Sequence, residues 1–388
     1  MLRFPRTVWL LAWVSLLTDI SSEMLYPVLP LYLTTVGFSG LLIGILEGCA
    51  DVTSGLAKMY FGSTSDNRGR RKPFIVGGYL LSALGKTMLA VWSHPIWIFS
   101  ARLLDRFGKG MRTAPRDALL NQQATPHNRA GIFGFHRAMD TAGAVIGPLL
   151  ALAYLQYWPK QYSSLFLLAF VPAGLAVVLT LLLRERITAP LPRRPWWQRL
   201  AYWKQAPPLY RKLLAPLLLF AVIRTTDFFL LLRVQQITGD ERMVLFSYIL
   251  YNLSYAVFAY PFGLWADRWG SLTVLSFGLL FYASVFAGLA FTDRPLLAIV
   301  LLIVYGWYAA ATEVTARALI GQIVPAHDVG AAMGFYTGMQ SLGFLLAGAI
   351  TGLLWTVWSP QGALGWSAAV ALLCAGWTAS LRLKNAGR

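Results

Sequence analysis

Twelve mostly apolar stretches of about 20 residues or more follow one another along the chain, and they limit its fold more than any other feature. A stretch of this length is what an α-helix needs to cross a lipid bilayer. We place the stretches at 7–34, 41–61, 73–92, 96–118, 131–155, 162–184, 213–236, 243–263, 273–291, 296–319, 330–355 and 362–382. The sequence therefore predicts an all-α integral membrane protein with twelve transmembrane helices.

The composition agrees with a protein whose surroundings are lipid. Of the 388 residues 57% are hydrophobic and only 13% are charged, whereas soluble proteins are typically about 25% charged. The two cysteines, Cys49 and Cys374, stand in apolar stretches and indicate neither a disulfide framework nor a zinc site. The histidines are scattered, and no glycine-rich nucleotide loop follows a strand pattern. We therefore expect no enzyme, no cofactor, no metal and no nucleic acid partner.

Basic residues concentrate in alternate loops, which predicts the orientation of the chain in the membrane. The loop after the second span contains four of them in five positions (68–72), and the linker 185–212 contains seven, whereas the intervening loops hold at most one. These loops account for much of the net charge of +17. By the positive-inside rule, both termini and the linker are cytoplasmic. We expect a multi-pass protein of the cytoplasmic (inner) membrane.

The two halves of the chain repeat each other. The loop glycines and aspartate after the second span recur 201 positions later, as Gly62/Gly263, Asp66/Asp267 and Gly69/Gly270. Such a repeat indicates a parallel duplication, in which two halves are related by an axis along the membrane normal. The predicted domains are a six-helix bundle at 1–184, the cytoplasmic linker 185–212 and a second six-helix bundle at 213–388.

Three motifs resemble those of the major facilitator superfamily of secondary transporters. They are the loop Gly62 to Arg71, which matches G-x-x-x-D-x-x-G-R-R/K, the pair Arg106 and Gly110, and the helix 5 motif of Gly143, Gly147 and Pro148. The helix 5 motif is similar to that of the drug/proton antiporter branch, although Ala151 and Leu152 stand where glycines are usual there. The resemblance covers essentially the whole chain. It implies two pseudo-symmetric six-helix bundles around a substrate cavity, alternating access and a monomer.

The loop motif and its second copy predict a gate on the cytoplasmic side. Asp66 can lie at the N-terminus of a helix of the other half, where the helix dipole favours an anion. Arg70 and Arg71 can pair with Asp117. The predicted gating residues are Gly62, Asp66, Gly69, Arg70, Arg71, Asp117, Gly263, Asp267, Arg268 and Gly270. The alternatives are that the arginines only set the topology and that the helix 5 glycines only permit close packing.

Ionisable side chains inside the predicted spans are costly in lipid and therefore indicate function. Asp19 and Glu23 are four residues apart, and so are Glu47 and Asp51, so that each pair shares one helix face. Two neighbouring carboxylates resist ionising together, and a nearby arginine such as Arg106 reverses this. We predict proton coupling at these five residues. Static ion pairs that hold the bundle together are the alternative.

A second set of side chains is predicted to line the substrate cavity. Its members are Arg102, Arg224, Asp227, Tyr251, Tyr255, Trp307, Tyr336 and Gln340. For each aromatic residue, ordinary packing is the alternative. We expect proton-coupled export of a small organic or amphipathic compound. A proton-linked importer of an anionic metabolite is the alternative, and a non-transporting sensor or scaffold is the third possibility.

Overall fold

The computed structural model describes residues 5–123, 129–185, 202–324 and 329–381, and the regular secondary structure in these ranges is entirely α-helical. The helices are α1 (Arg6–Leu25), α2 (Leu29–Thr35), α3 (Gly40–Arg68), α4 (Lys72–Val91), α5 (Pro95–Gln122), α6 (Arg129–Tyr157), α7 (Tyr162–Leu181), α8 (Tyr202–Gln205), α9 (Pro208–Ile223), α10 (Asp227–Thr238), α11 (Glu241–Trp269), α12 (Ser271–Phe291), α13 (Pro295–Ile323), α14 (Val329–Val357) and α15 (Pro360–Ser380). The predicted all-α fold is confirmed.

Apart from the four-residue α8, the helices correspond to the twelve predicted spans once two broken helices are joined. Helices α1 and α2 together form the first span, and α9 and α10 form the seventh with a bend of 44°. By length and hydropathy ten spans of the described residues qualify as membrane-crossing, and the bent pair is an eleventh. The remaining helix, α5, is long enough at 28 residues, but it carries a dense set of charged side chains.

Corresponding helices of the two halves match in length and spacing. Helices α3 and α11 both have 29 residues and begin 201 positions apart. Helices α6 and α14 also have 29 residues each and begin 200 positions apart. The break after α1 has its counterpart in the break after α9. The duplication seen in the loop motifs therefore extends to the helices.

The two breaks have different causes. The chain leaves the helix after Leu25, next to Pro27, because a proline ring removes a backbone donor and clashes with the preceding turn. At the second break no proline is present, and the N–H of Thr225 donates to the hydroxyls of Tyr282 (2.7 Å) and Ser367 (3.0 Å). The sequence predicted a continuous helix over 213–236, and these two distant hydroxyls explain why the chain can interrupt it.

By their contacts the residues fall into two compact units. The first comprises Met1–Val36 and Cys49–Trp196, and the second comprises Gly37–Gly48 and Trp197–Arg388. The first turns of α3 thus belong to the second unit, where Gly44 and Gly348 face each other without room for a side chain on either. Residues 186–201 of the predicted linker lie outside the described residues, and the predicted domain boundaries stay a prediction.

Candidate functional site

Glycines bring α4 and α5 of the first unit into close contact. A Cβ at Gly108 would lie 2.5 Å from a carbonyl oxygen of α4, and a Cβ at Gly85 would lie 2.6 Å from the backbone nitrogen of Asp105. Neither position has room for a side chain. This close approach places the polar side chains of Ser82 and Lys86, on α4, against the charged face of α5.

Asp105 is the centre of a buried cluster of charges. Its Oδ2 lies 3.5 Å from Nη1 of Arg102 and 3.9 Å from Nε of Arg106, and Ser82 donates a hydrogen bond to its Oδ1. Arg102 is only 5% exposed and Asp105 only 7%. Sequence analysis did not select Asp105 as a site residue, although its spacing of three from Arg102 gives the signal of a same-face ion pair.

Lys86 connects this cluster to α1. The residue is 2% exposed, and its ammonium donates to the hydroxyls of Ser21 (3.2 Å) and Ser22 (2.9 Å). These serines stand between Asp19 and Glu23 in the sequence. Lys86 thereby ties the acidic stretch of α1 to α4. Its role was also missed, because the serine partners are more than sixty positions away.

The acidic face of α1 packs on the glycines of the helix 5 motif, which lies in α6. A Cβ at Gly143 would lie 2.8 Å from the Cβ of Asp19, and a Cβ at Gly147 would lie 3.0 Å from the Cβ of Glu23. Small residues allow two helix backbones to approach this closely. The glycine motif and the carboxylate pair, which the sequence showed separately, are therefore two sides of one helix contact.

Charged side chains of α5 and α6 lie near Asp19. They are Lys109 and Arg112 of α5 and Asp140 of α6. The sequence grouped Asp19 with Arg106, whereas Arg106 lies beside Asp105. Lys109 and Arg112 follow Arg106 at intervals of three, so the helical spacing already placed them near the same face.

The second predicted carboxylate pair is divided between the units. Glu47 is buried and belongs to the second unit, whereas Asp51 is half-buried and belongs to the first. The proton-coupling role of this pair stays a prediction.

A second buried network joins α1, α5 and α6. Ser15 donates to Oδ1 of Asp140, and Arg116 donates to Oγ of Ser15 at 3.3 Å. Nδ1 of His136 lies 3.5 Å from Oδ2 of Asp140. Arg116 also pairs with Asp117, with Nη2 and Oδ1 2.9 Å apart. Arg116, Asp140 and His136 were not among the predicted site residues.

In the predicted gate, Asp117 pairs with Arg116 of its own helix. The predicted pairing of Asp117 with Arg70 or Arg71 stays a prediction. The backbone N–H of Arg71 donates to Glu185, after the end of α7.

Two loop glycines adopt the backbone conformation that the motif predicted. Gly69 has φ +63° and Gly270 has φ +89°, a region that residues with a side chain rarely adopt. Gly62 approaches α5, since a Cβ there would lie 3.0 Å from a Cβ of that helix. The side chains of Asp66 and Asp267 lie outside the described residues, and the gating role stays a prediction.

In the second unit, several cavity candidates collect at the break between α9 and α10. Nη2 of Arg224 lies 3.6 Å from Oδ1 of Asp227, and the Tyr305 hydroxyl donates to the same oxygen at 2.6 Å. The Arg224 guanidinium stands 4.6 Å from the ring centroid of Phe344, and the ring of Tyr251 lies 5.2 Å from that of Tyr305. Sequence analysis omitted Tyr305 and Phe344 from the site, because nothing in one sequence shows which rings meet the ion pair.

The other predicted cavity residues lie in separate pairs. The hydroxyl of Tyr255 donates to Glu313 at 2.9 Å, and Gln340 donates to the Tyr336 hydroxyl at 3.1 Å. Trp307 packs against phenylalanine rings of α11 and α12, with centroid distances of 5.3 and 5.6 Å. From the predicted cavity residues, the structure thus brings Arg224, Asp227 and Tyr251 together at the break between α9 and α10.

Comparison with known proteins decides the family. The sequence profile of the Major Facilitator Superfamily matches residues 11–244 and 228–386. The chain belongs to the Major Facilitator Superfamily. It is a multi-pass secondary transporter of a small-molecule substrate, and not an enzyme.

Relatives of this superfamily member are similar along most of the chain. An MFS-type transporter of Methanocaldococcus jannaschii is 33% identical over 368 residues, which are 92% of this chain and 90% of that protein. The multidrug resistance protein MdtH of Edwardsiella ictaluri is 27% identical over 350 residues, 87% of this chain and 82% of that protein. A solved D-xylose–proton symporter has a TM-score of 0.77 at 15% identity, covers 98% of both chains and shows the same fold.

Proposed function

We propose that this superfamily member is a proton-coupled exporter of small organic or amphipathic compounds in the cytoplasmic membrane. The observation on which the proposal rests is the packing of Asp19 and Glu23 against Gly143 and Gly147. At so close a helix contact, a small relative movement of α1 and α6 changes which charged groups face the carboxylates. A carboxylate that exchanges its neighbours between two conformations binds a proton in one and releases it in the other.

Export as the direction is supported by similarity. The helix 5 motif resembles that of the drug/proton antiporters, and one relative is named for multidrug resistance. The second candidate function, proton-linked import of an anionic metabolite, is favoured by Arg224. Its side chain lies at a helix break, remains 24% exposed and presents a guanidinium that suits a carboxylate.

Transport in everted membrane vesicles distinguishes these two functions. With an acidic interior, an exporter is expected to accumulate ethidium inside and to speed the loss of luminal protons, because the two move in opposite directions. Ethidium fluorescence and a luminal pH dye measure both, and vesicles without the protein are the control. Absence of ethidium movement, together with an organic anion leaving the vesicle alongside protons, would contradict export and support import.

We also propose that both termini and the linker 185–212 are cytoplasmic. In a variant in which Cys49 and Cys374 are replaced, a cysteine at Gln198 should react with an impermeant maleimide in everted vesicles but not in intact cells. A cysteine at Lys160, in the loop between α6 and α7, is the matched control and should react only in intact cells. The reverse pattern at the two positions would overturn the topology.

A further inference from the structure

Asp140 faces Asp19 across the contact between α6 and α1. Asp140 stands three residues before Gly143, the position whose Cβ would lie 2.8 Å from that of Asp19. Ser15, one turn before Asp19, donates a hydrogen bond to Oδ1 of Asp140. Asp140 is also one of the charged side chains that lie near Asp19. Two acids and a hydroxyl thus lie together on two tightly packed helices.

His136 extends this line of groups along α6. Its Nδ1 lies 3.5 Å from Oδ2, the other carboxylate oxygen of Asp140. The residue is 4% exposed, and its Nε2 is buried without a hydrogen-bond partner among the described residues. Buried polar atoms nearly always have a partner, and each exception calls for an explanation. Imidazole carries protons on either nitrogen near neutral pH, which suits a group that accepts at one nitrogen and releases at the other.

We propose that Asp140 and His136 form a proton relay that serves Asp19. When a movement of α1 against α6 brings the Asp19 carboxyl within hydrogen-bond distance of the Ser15 hydroxyl, a protonated Asp19 gives its proton to the Asp140 carboxylate through that hydroxyl and is left ionised. Asp140 then gives a proton to Nδ1 of neutral His136, and the imidazolium releases one from Nε2 to a water molecule that reaches this nitrogen when the helices move. One proton enters the relay and one leaves it, and the reverse order loads Asp19. This inference rests on the proposed proton coupling, since the relay serves proton turnover at Asp19.

The remaining charged groups around the relay come from α1 and α5. They are Glu23 on α1 and Lys109, Arg112, Arg116 and Asp117 on α5. Arginines keep their charge at any physiological pH. Arg116 therefore acts as a fixed charge that holds Ser15 toward Asp140, through the hydrogen bond of 3.3 Å to its hydroxyl. An exclusively structural role for Asp140, as the acceptor of the hydrogen bond from Ser15, would leave the protonation of His136 independent of Asp19.

Histidine NMR tests the relay without a transport substrate. The sequence contains four histidines, His94, His127, His136 and His327, so ¹⁵N-histidine labelling gives few signals and His136→Gln assigns the relevant one. The full-length protein in lipid nanodiscs is titrated from about pH 5 to about pH 9, the range in which imidazole changes charge. At a given pH we expect the ¹⁵N signals of His136 in the Asp19→Asn and Asp140→Asn variants to differ from those of the wild type, because the relay links the protonation of the imidazole to that of both carboxyls.

The control variant removes a distant carboxylate. Asp240 caps α11 by accepting from the N–H of Arg242, and Asn at position 240 keeps that cap, so Asp240→Asn should leave the His136 signals as they are in wild type. Thermal unfolding checks that the variants fold, and Ser15→Ala, which should also change the His136 signals, replaces Asp19→Asn if that variant does not. Unchanged His136 signals in all folded relay variants would overturn the relay.

The relay and the proposed function fail in different experiments. Proton-driven transport in vesicles without any link between Asp19 and His136 contradicts the relay alone. The opposite result is that the His136 signals depend on Asp19 but the protein moves ethidium without protons. That result contradicts the proposed proton coupling and leaves the relay without a function.

Discussion

Replacing Asp19 by asparagine is expected to abolish ethidium accumulation driven by a pH gradient, down to the level of vesicles without the protein. Asparagine is nearly isosteric and preserves the contact with Gly143, but it cannot carry a proton. Exchange of labelled for unlabelled ethidium without a gradient should remain largely intact, because it needs the conformational change and not proton turnover. Both rates are measured in the same everted vesicles, normalised to the amount of folded protein.

Two further variants test whether the loss of accumulation is specific to Asp19. Asp240→Asn removes a carboxylate of the second unit that caps α11 and should accumulate ethidium as wild type does. Glu23→Gln, one turn from Asp19 and opposite Gly147, shows whether the second carboxylate of the pair shares the role. Wild-type accumulation in folded Asp19→Asn would show that proton coupling does not pass through Asp19.

Much of the fold could be predicted from the sequence because membrane helices obey local rules. Apolar length placed the spans, and the repeated loop motif revealed the duplication. The break after α1 lies next to Pro27, which removes a backbone donor from the helix. Proline alone does not decide a break, because Pro148 and Pro216 lie inside unbroken helices. The break at Thr225 could not be predicted, because it is stabilised by Tyr282 and Ser367, which reach the chain only after distant helices have packed.

The candidate site shows the same division between local and distant causes. The spacing of Asp19 and Glu23 predicted their common face, and the spacing of Gly143 and Gly147 predicted a close helix contact. That these two faces meet each other is a tertiary fact that no single-sequence pattern contains. Arg116 was not selected for the same reason, since its partner Ser15 lies 101 positions away.

Replacing Asp105 by asparagine is expected to lower the free energy of unfolding by about 3–5 kcal/mol, the loss typical when one partner of a buried ion pair is removed. Asp105 is the ion-pair partner of Arg102 and Arg106, and Lys86 is buried nearby with only serine hydroxyls as hydrogen-bond partners in the described structure. Without the carboxylate, three cations share one buried region. The loss should be visible in detergent as a lower unfolding temperature and a smaller folded yield.

A second substitution distinguishes electrostatics from packing. The double variant Asp105→Asn with Arg102→Met replaces one of the three cations by an uncharged side chain of roughly similar length. It should recover part of the lost stability, because fewer buried charges remain uncompensated. If the defect were one of packing at Gly85, which touches the backbone of Asp105, the second substitution would add to it. Asp19→Asn gives the contrasting case, in which transport is lost and the protein stays folded. Wild-type stability of Asp105→Asn would mean that water reaches Arg102 and Arg106 and screens their charges, and the cluster would then belong to the transport pathway.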